Sequence, residues 1–450
     1  MREAEVHKHE AIVKMQGFRA SVLFFTNEPD QDEHTGACVW LEDGLLLVHD
    51  GKIVSVGNYA SDIASLDASV PVQDYSGKLI VPGFIDTHLH YPQTEMIGSP
   101  APGLLPWLEH FTFPTEQRFA DPAHAQDVAA FFVEELLRCG TTTAMVYCTV
   151  HPASVDAFFT ESHARNLRMV AGKVLMDRHC PEALRDTAEG GIRDSEDLIQ
   201  RWHNRGRQQY AITPRFAPTS TPAQLQLAGE LAARYPDTFI QTHVAENADE
   251  VAWVKTLFPD ARSYLDVYDG YGLMRRRAMY GHCIWLDDDD RRRMAATGSA
   301  IAVCPTSNLF LGSGLFDFDA AKEAGVMVSL ATDVGGGTSF SMLATMNEAY
   351  KVARMKGRYL SGSQLFYMAT LGGARSMDID HLVGSFAPGK EADFIVLDPQ
   401  ATPMMARRTA RVEHYDELLF VLAMLGDDRT VAATYAHGEC VHQRADRITE

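Results

Sequence analysis

The feature that most constrains this chain is a rhythm of eight short apolar runs separated by helix-like segments. The runs are Phe84–His90, Thr142–Cys148, Arg168–Met176, Tyr210–Phe216, Thr238–Val244, Ala278–Cys283, Ala300–Cys304 and Val326–Asp333. They are too short for buried helices, and several are near-continuously apolar, as strands covered on both faces must be. Amphipathic stretches fall between most of them, among them Gln126–Arg138, Ala223–Arg234, Asp249–Leu257 and Asp287–Ala296. Eight β-α units over about 250 residues predict an α/β chain with a (β/α)8 barrel.

The two ends have a different texture. Ala37–Leu41 and Leu45–Val48 are β-prone runs separated by Glu42-Asp43-Gly44, and Asp50-Gly51 precedes Lys52–Val56 as a hairpin signal. Near the C-terminus, Ala392–Leu397 reads as a strand and Ala433–Val441 as strand, turn, strand. Neither end has enough strands to bury a sheet alone, so the two are expected to combine in one small composite β-sandwich. The predicted division is residues 1–81 and 386–450 for the sandwich, and 82–385 for the barrel inserted between them.

Composition narrows the function classes. Forty Lys+Arg against sixty Asp+Glu give a net charge of −20, which argues against a nucleic-acid partner or a polybasic membrane anchor. The seven cysteines are scattered with no CxxC pair, which suits a reducing cytosol and excludes a disulfide framework. The charged start MREAEVHKHE does not read as a signal peptide, and no apolar run is long enough to span a membrane, so a cytoplasmic protein is expected. Neither GxxxxGK[ST] nor GxGxxG occurs, which makes phosphate-driven chemistry a poor expectation.

The candidate chemistry sits at the ends of the apolar runs. His88 and His90 close the first run, and residues i and i+2 of a strand share a face, so two imidazoles would project together from the catalytic rim of a barrel. Spacing alone is weak, because His7-Lys8-His9 repeats it in a charged segment and reads as solvated. His243 closes the fifth run and His282 the sixth, while Asp333 closes the eighth. Singly, a buried satisfied histidine or a helix-capping Asp is the simpler reading. Glu246, three residues past His243, is either an acid near a helix N-terminus or a proton-transfer carboxylate beside a metal site. Jointly, four runs ending in His or Asp at one rim point to a divalent ion held by three His and one Asp, with a position left open for water. Cys283 and Cys304 read as small core residues, and Lys173 as a buried cation with a partner. Asp287–Asp290 reads as an acidic helix start, and Gly335–Gly337 as a flexible turn.

The ordered set PGFIDTHLH, HVAE, GHC, ATDVGGG and GSFAPGKEADFIVLD resembles the amidohydrolase superfamily of metal-dependent hydrolases across essentially the whole chain. The resemblance implies the same barrel with a composite β-sandwich. Binuclear members carry a carboxylated Lys at the end of the fourth strand. Here that run ends Thr213-Pro214-Arg215-Phe216, which implies a mononuclear site. His243-x-x-Glu246 is similar to the pattern of the aminohydrolases. Leu104–Glu116, His90-Tyr91-Pro92-Gln93 and Cys304–Leu309 resemble segments of the guanine-deaminating members.

By this resemblance, His88, His90, His243 and Asp333 hold one zinc ion, with iron fitting the same donors. Glu246 moves protons between water and ring N3, and His282 or Asp333 assists the water. Gln93, Arg215 and Phe216 contact the base, with His243, Glu246 and Asp333 facing it. The implied ligand is free guanine, and the implied assembly a homodimer. From the residues alone, Arg215 pairing with an acidic neighbour and Phe216 as ordinary core stay open, as do a pterin, a triazine or another purine as substrate. The segment Tyr91–Gln117 is a candidate lid.

Overall fold

The structure is a computed structural model that describes residues 15–30 and 36–445. The His7-Lys8-His9 pair lies outside the described residues. All eight apolar runs form barrel strands: Phe84–His90, Thr141–Tyr147, Arg168–Gly172 with its continuation Val174–Leu175, Gln208–Pro214, Phe239–Val244, Ala278–His282, Ala300–Val303 and Met327–Leu330. They pair in parallel, in sequence order. The first two strands are buried along their full length, which is why they lack polar alternation.

The first and eighth strands meet at a seam. Asp333 N–H donates to His88 O at 3.0 Å, and His90 N–H donates to Val334 O at 2.6 Å. The Asp86 carboxylate reinforces the seam by accepting from Thr332 N–H at 3.1 Å and from the Thr332 hydroxyl.

The helices start where the residues provide caps. Asp121 caps Pro122–Arg138 through Ala123 N–H, and Thr221 caps Pro222–Arg234 through Gln224 N–H. Asn247 and Glu250 form a capping box on Ala248–Leu257, as do Asp287 and Asp290 on Asp288–Thr297. The acidic run 287–290 is therefore a helix start, as its sequence indicated.

Both ends of the chain build the composite β layer. It is one seven-stranded mixed sheet, with Glu439–Gln443, Val431–Ala436 and Phe394–Leu397 on one side and Val72–Pro82, Gln16–Phe25, Cys38–His49 and Lys52–Asn58 on the other. The two halves join where Phe394–Leu397 runs antiparallel to Leu79–Pro82. The Asp50-Gly51 hairpin forms with both residues at positive φ, the twist such a turn requires. Glu42-Asp43-Gly44 does not break the chain into two strands. Leu41 pairs with Val22 and Gly44 with Ala20, so Glu42 and Asp43 are absorbed as a bulge within one strand. A Cβ on Gly44 would lie 2.8 Å from Val22 Cγ2, which explains the glycine.

A buried ionic knot fastens this sheet to the barrel. Glu391 accepts from Arg168 Nε at 2.7 Å and from Arg207 Nη2 at 2.7 Å, and Arg207 also pairs with Asp393. Arg168 opens the third barrel strand and Arg207 precedes the fourth, so the knot lies at the rim opposite the strand ends that carry the histidines.

Candidate metal and substrate site

The strand ends bring all nine candidate residues together. His90, Gln93, Arg215, Phe216, His243, Glu246, His282 and Asp333 line one cavity, and His88 lies against Asp333 beside it. Asp333 is not the last residue of its strand, which stops at Leu330. It sits on the following turn with a left-handed backbone, φ 50°. His282, Cys283 and Ala245 are also left-handed, at φ 69°, 55° and 51°. Non-glycine residues held there carry strain, and these four cluster at one rim. Gly281 leaves room for the His88 ring, since a Cβ there would lie 2.6 Å from His88 Cε1.

The ligand atoms converge. His90 Nε2 and His243 Nε2 are 3.1 Å apart, and Asp333 Oδ1 is 3.4 Å from His88 Nε2 and 3.5 Å from His90 Nε2. The side chains of His88, His90 and His243 form one group whose ligand atoms all lie within 4.8 Å of one another. His243 Nδ1 donates to the Arg215 carbonyl at 2.7 Å, which leaves its Nε2 lone pair facing the cluster. His88 Nε2 and His90 Nδ1 are buried with no hydrogen-bond partner among the described residues. Burial lowers the proton affinity of His88 and holds His90 and His243 well below the ordinary histidine range, so these rings carry the neutral, ligating form. A buried, unpartnered His88 Nε2 facing the Asp333 carboxylate, with the Nε2 atoms of His90 and His243 crowded beside it, is the arrangement a bound cation satisfies, and the residues therefore fit a metal.

Cys304 belongs beside this cluster. With His88, His282 and Asp333 it forms a second group within the same 4.8 Å, although its spacing singled it out only as a core residue. Its thiol is turned toward Ala302 O at 3.5 Å, and burial pushes its pKa far up. A thiol is a poor ligand in that state, so the neutral imidazoles and Asp333 form the better donor set.

Glu246 and His282 stand next to the cluster. Glu246 Oε2 is 3.4 Å from His282 Nε2, and Ser313 donates to Oε1 at 2.9 Å. Burial pushes Glu246 up to about 7, opposed by His282 and assisted by Glu250 and Asp333. Burial also works against charge on His282, but Glu246, Asp333 and the Asn308 amide outweigh it and raise its pKa. Asp333 is held below the usual carboxylate range, because its contacts with His88 and His282 exceed the cost of burial. The Glu246 backbone is fixed by the side chain of Glu250, which accepts its N–H at 2.9 Å while Tyr264 donates to the other oxygen.

The far wall belongs to the segment after the first strand. Leu104, Trp107 and Leu108 line the cavity and pack with Phe216 and Leu311 in a separate apolar cluster over the strand ends. Gln93 Oε1 accepts from Gly335 N–H at 3.2 Å. Gly335–Gly337 is thus buried and tightly packed: a Cβ on Gly335 would lie 2.6 Å from Gln93 O, and one on Gly337 1.8 Å from Thr332 O. Arg215 both lines the cavity and pairs with an acid, Glu116, at 2.9 and 2.7 Å. The sequence offered no spacing signal for Glu116. Lys173, as its sequence suggested, is buried with a partner, donating to Asp186 at 2.6 Å.

The Amidohydrolase family pattern matches residues 79–441, and the chain belongs to that family of metal-dependent hydrolases. It is 49% identical over 431 residues to a guanine deaminase of Escherichia coli K12, covering 96% of this chain and 98% of that protein. The solved structure of an E. coli guanine deaminase superposes with a TM-score of 0.94 over 96% of this chain and all of the other. A guanine deaminase from C. acetobutylicum with guanine bound in its active site superposes with a TM-score of 0.86 at 28% identity, covering 95% of this chain and all of that one.

Proposed function

We propose that this chain is a guanine deaminase, hydrolysing guanine and water to xanthine and ammonia. One observation carries the reading. A single cavity holds a neutral His cluster with a carboxylate, a buried proton carrier, and an Arg–Gln pair of fixed orientation. His88, His90, His243 and Asp333 are the proposed ligands of one zinc ion, which their N/O donors suit. When bound, the ion supplies a water of lowered pKa as the nucleophile.

The remaining chemistry falls to the side chains. Water adds its oxygen to C2, and its proton passes to Glu246, with His282 and Asp333 as neighbouring acceptors. Glu246 delivers that proton to N3, so no negative charge builds on the ring. The hydroxyl now on C2 gives up its remaining proton, which Glu246 passes to the amino group; the C2–N bond breaks, ammonia leaves, and C2 keeps the oxygen as a carbonyl. An acid near pH 7 suits this two-way traffic, because neither direction is strongly uphill. Arg215 and Gln93 read the polar edge of the base, with Arg215 donating to O6. An adenine amino group there would leave a buried guanidinium unmatched. Phe216 and Trp107 supply apolar walls for the ring.

The division at 81/82 and 385/386, a cytosolic location and a homodimer complete the proposal; the first rests on the change of texture along the chain, the second on the scattered cysteines, and the third on the family resemblance. The described residues include no helix long and apolar enough to cross a membrane. The test is a panel of guanine, adenine, a pterin and a triazine assayed for ammonia release, with metal content measured on the same sample. Guanine is expected to dominate the panel in kcat/KM with about one zinc per chain. No guanine turnover by fully metallated protein refutes the assignment.

A further inference from the structure

Glu116 sits on the short helix Phe113–Gln117 of the segment that walls the cavity, and it is fully buried. Its carboxylate accepts Arg215 Nη1 on both oxygens, at 2.9 and 2.7 Å, and Gln93 Nε2 on Oε1 at 3.0 Å. It does not line the cavity, whereas Arg215 and Gln93 both do. One buried acid therefore holds, from behind, the two side chains assigned to the edge of the base.

The consequences follow from counting donors and acceptors. Arg215 directs Nη1 at both oxygens of Glu116, while Nε and Nη2 make no hydrogen bond among the described residues and are left to a ligand. Phe113, on the same helix as Glu116, lies under the guanidinium at 5.6 Å from its carbon to the ring centre, which limits its tilt. Gln93 is fixed in the same way. A carboxylate can only accept and Gly335 N–H can only donate, so the amide cannot flip, and it offers the cavity one N–H and one carbonyl lone pair. The Arg215–Glu116 pair also cancels the guanidinium charge, which suits a neutral base.

We propose that Glu116 is the specificity-positioning residue of this site, fixing the donor–acceptor pattern that Arg215 and Gln93 present to a 6-oxopurine. The inference rests on the guanine reading above. It separates two roles: Arg215 and Gln93 touch the substrate, and Glu116 acts only through them. The helix of the wall segment thereby ties closure over the site to recognition of the base.

A double-mutant cycle tests this, with kcat/KM for guanine measured on metallated wild type, Glu116→Gln, Arg215→Met and the double variant. Glu116→Gln is expected to lose about 10²-fold, the scale of a substrate misplaced by about 1 Å. In the Arg215→Met background the same change is expected to matter by less than about threefold, because Arg215 is gone and the amide oxygen of the Glu116→Gln side chain can still accept from Gln93 Nε2. Glu116→Asp keeps the charge but withdraws it by one methylene, and an intermediate loss is expected. It stands in for Glu116→Gln in the cycle if that variant does not fold, and metal content and Tm are recorded for each. Losses that multiply in the double variant, or a Glu116→Gln enzyme as active as wild type, overturn the inference. A wild type inert toward guanine instead refutes the functional reading, and the inference falls with it.

Discussion

Glu246→Gln removes one proton-carrying atom and little else. The amide has nearly the shape of the carboxyl, and its oxygen can still accept the Ser313 hydroxyl, which donates at 2.9 Å. Glu246 is not a member of either group of metal-binding side chains, so metal content is expected to stay at the wild-type level. The loss is then that of general acid–base catalysis, about 10²–10⁴-fold in kcat, or about 3–5.5 kcal/mol of barrier. The pH profile carries a second signature. The wild-type carboxyl is pushed up to about 7 by burial, and a cation in the adjacent cluster favours its ionised form. Its carboxylate must be free to take the proton of water, so kcat/KM falls as pH drops through and below that range, by about tenfold per unit. In Glu246→Gln this acid limb is expected to disappear together with the bulk of the rate. The assay is xanthine formation from pH 5 to 9, with zinc quantified on each preparation. A variant within tenfold of wild type, or one whose lost activity is matched by lost metal, refutes the proton-carrier role.

Three further outcomes are expected. Arg215→Ala should lower kcat/KM for guanine about 10–100-fold more than for 2-aminopurine, which lacks O6, because a charge-assisted hydrogen bond worth about 1.5–3 kcal/mol is lost only with guanine; equal losses on both would remove Arg215 from recognition. His243→Ala should leave the protein short of stoichiometric metal, whereas Cys304→Ser should retain a full complement, and elemental analysis showing the reverse would make the thiol a ligand. Glu391→Gln should destabilise the fold by about 3–5 kcal/mol, as breaking one partner of a buried ion pair does. Arg168 and Arg207 outweigh burial and depress Glu391 from 4.5 to about 2, so its contribution is present above about pH 4.5 and lost as pH falls toward 2. Equal unfolding midpoints for the two proteins at pH 7 would sink that estimate.

Much of the barrel was legible because its signal is local. A parallel strand covered on both faces must be apolar, and each of the eight runs became a strand within a few residues of its expected ends. The rim residues were legible for the same reason, since a strand end fixes where His88, His90, His243 and His282 emerge. Asp333 closes its apolar run but lies beyond its strand, because the run continues through Ala331 after the ladder has stopped at Leu330. What stayed hidden depends on distant pairing. Nothing near Glu116 in sequence announces Arg215, 99 residues away, and nothing in Glu42-Asp43-Gly44 distinguishes a turn from a bulge until Val22 and Ala20 lie opposite. Cys304 shows the converse: its environment was read correctly as core, and only the fold places that core against the ligand cluster.

The two ends of the barrel divide stability from chemistry. At the rim where the histidines emerge, the backbone is left-handed at Ala245, His282, Cys283 and Asp333, and like groups are crowded without full pairing. Such a rim stores strain rather than stability. At the opposite rim the Glu391–Arg168–Arg207–Asp393 knot and the composite sheet bind the starts of the third and fourth strands. The seam between the first and eighth strands is the remaining weak point, because only a few hydrogen bonds close it there. The proposed ligands lie on both sides of that seam, His88 and His90 on one and Asp333 on the other, with His243 across the barrel. An ion that binds only the closed arrangement stabilises it by mass action, in proportion to the logarithm of its free concentration over Kd. The four proposed ligands would therefore also help to close the barrel when an ion is bound, and the fold tolerates an open, strained rim because its other end is tied.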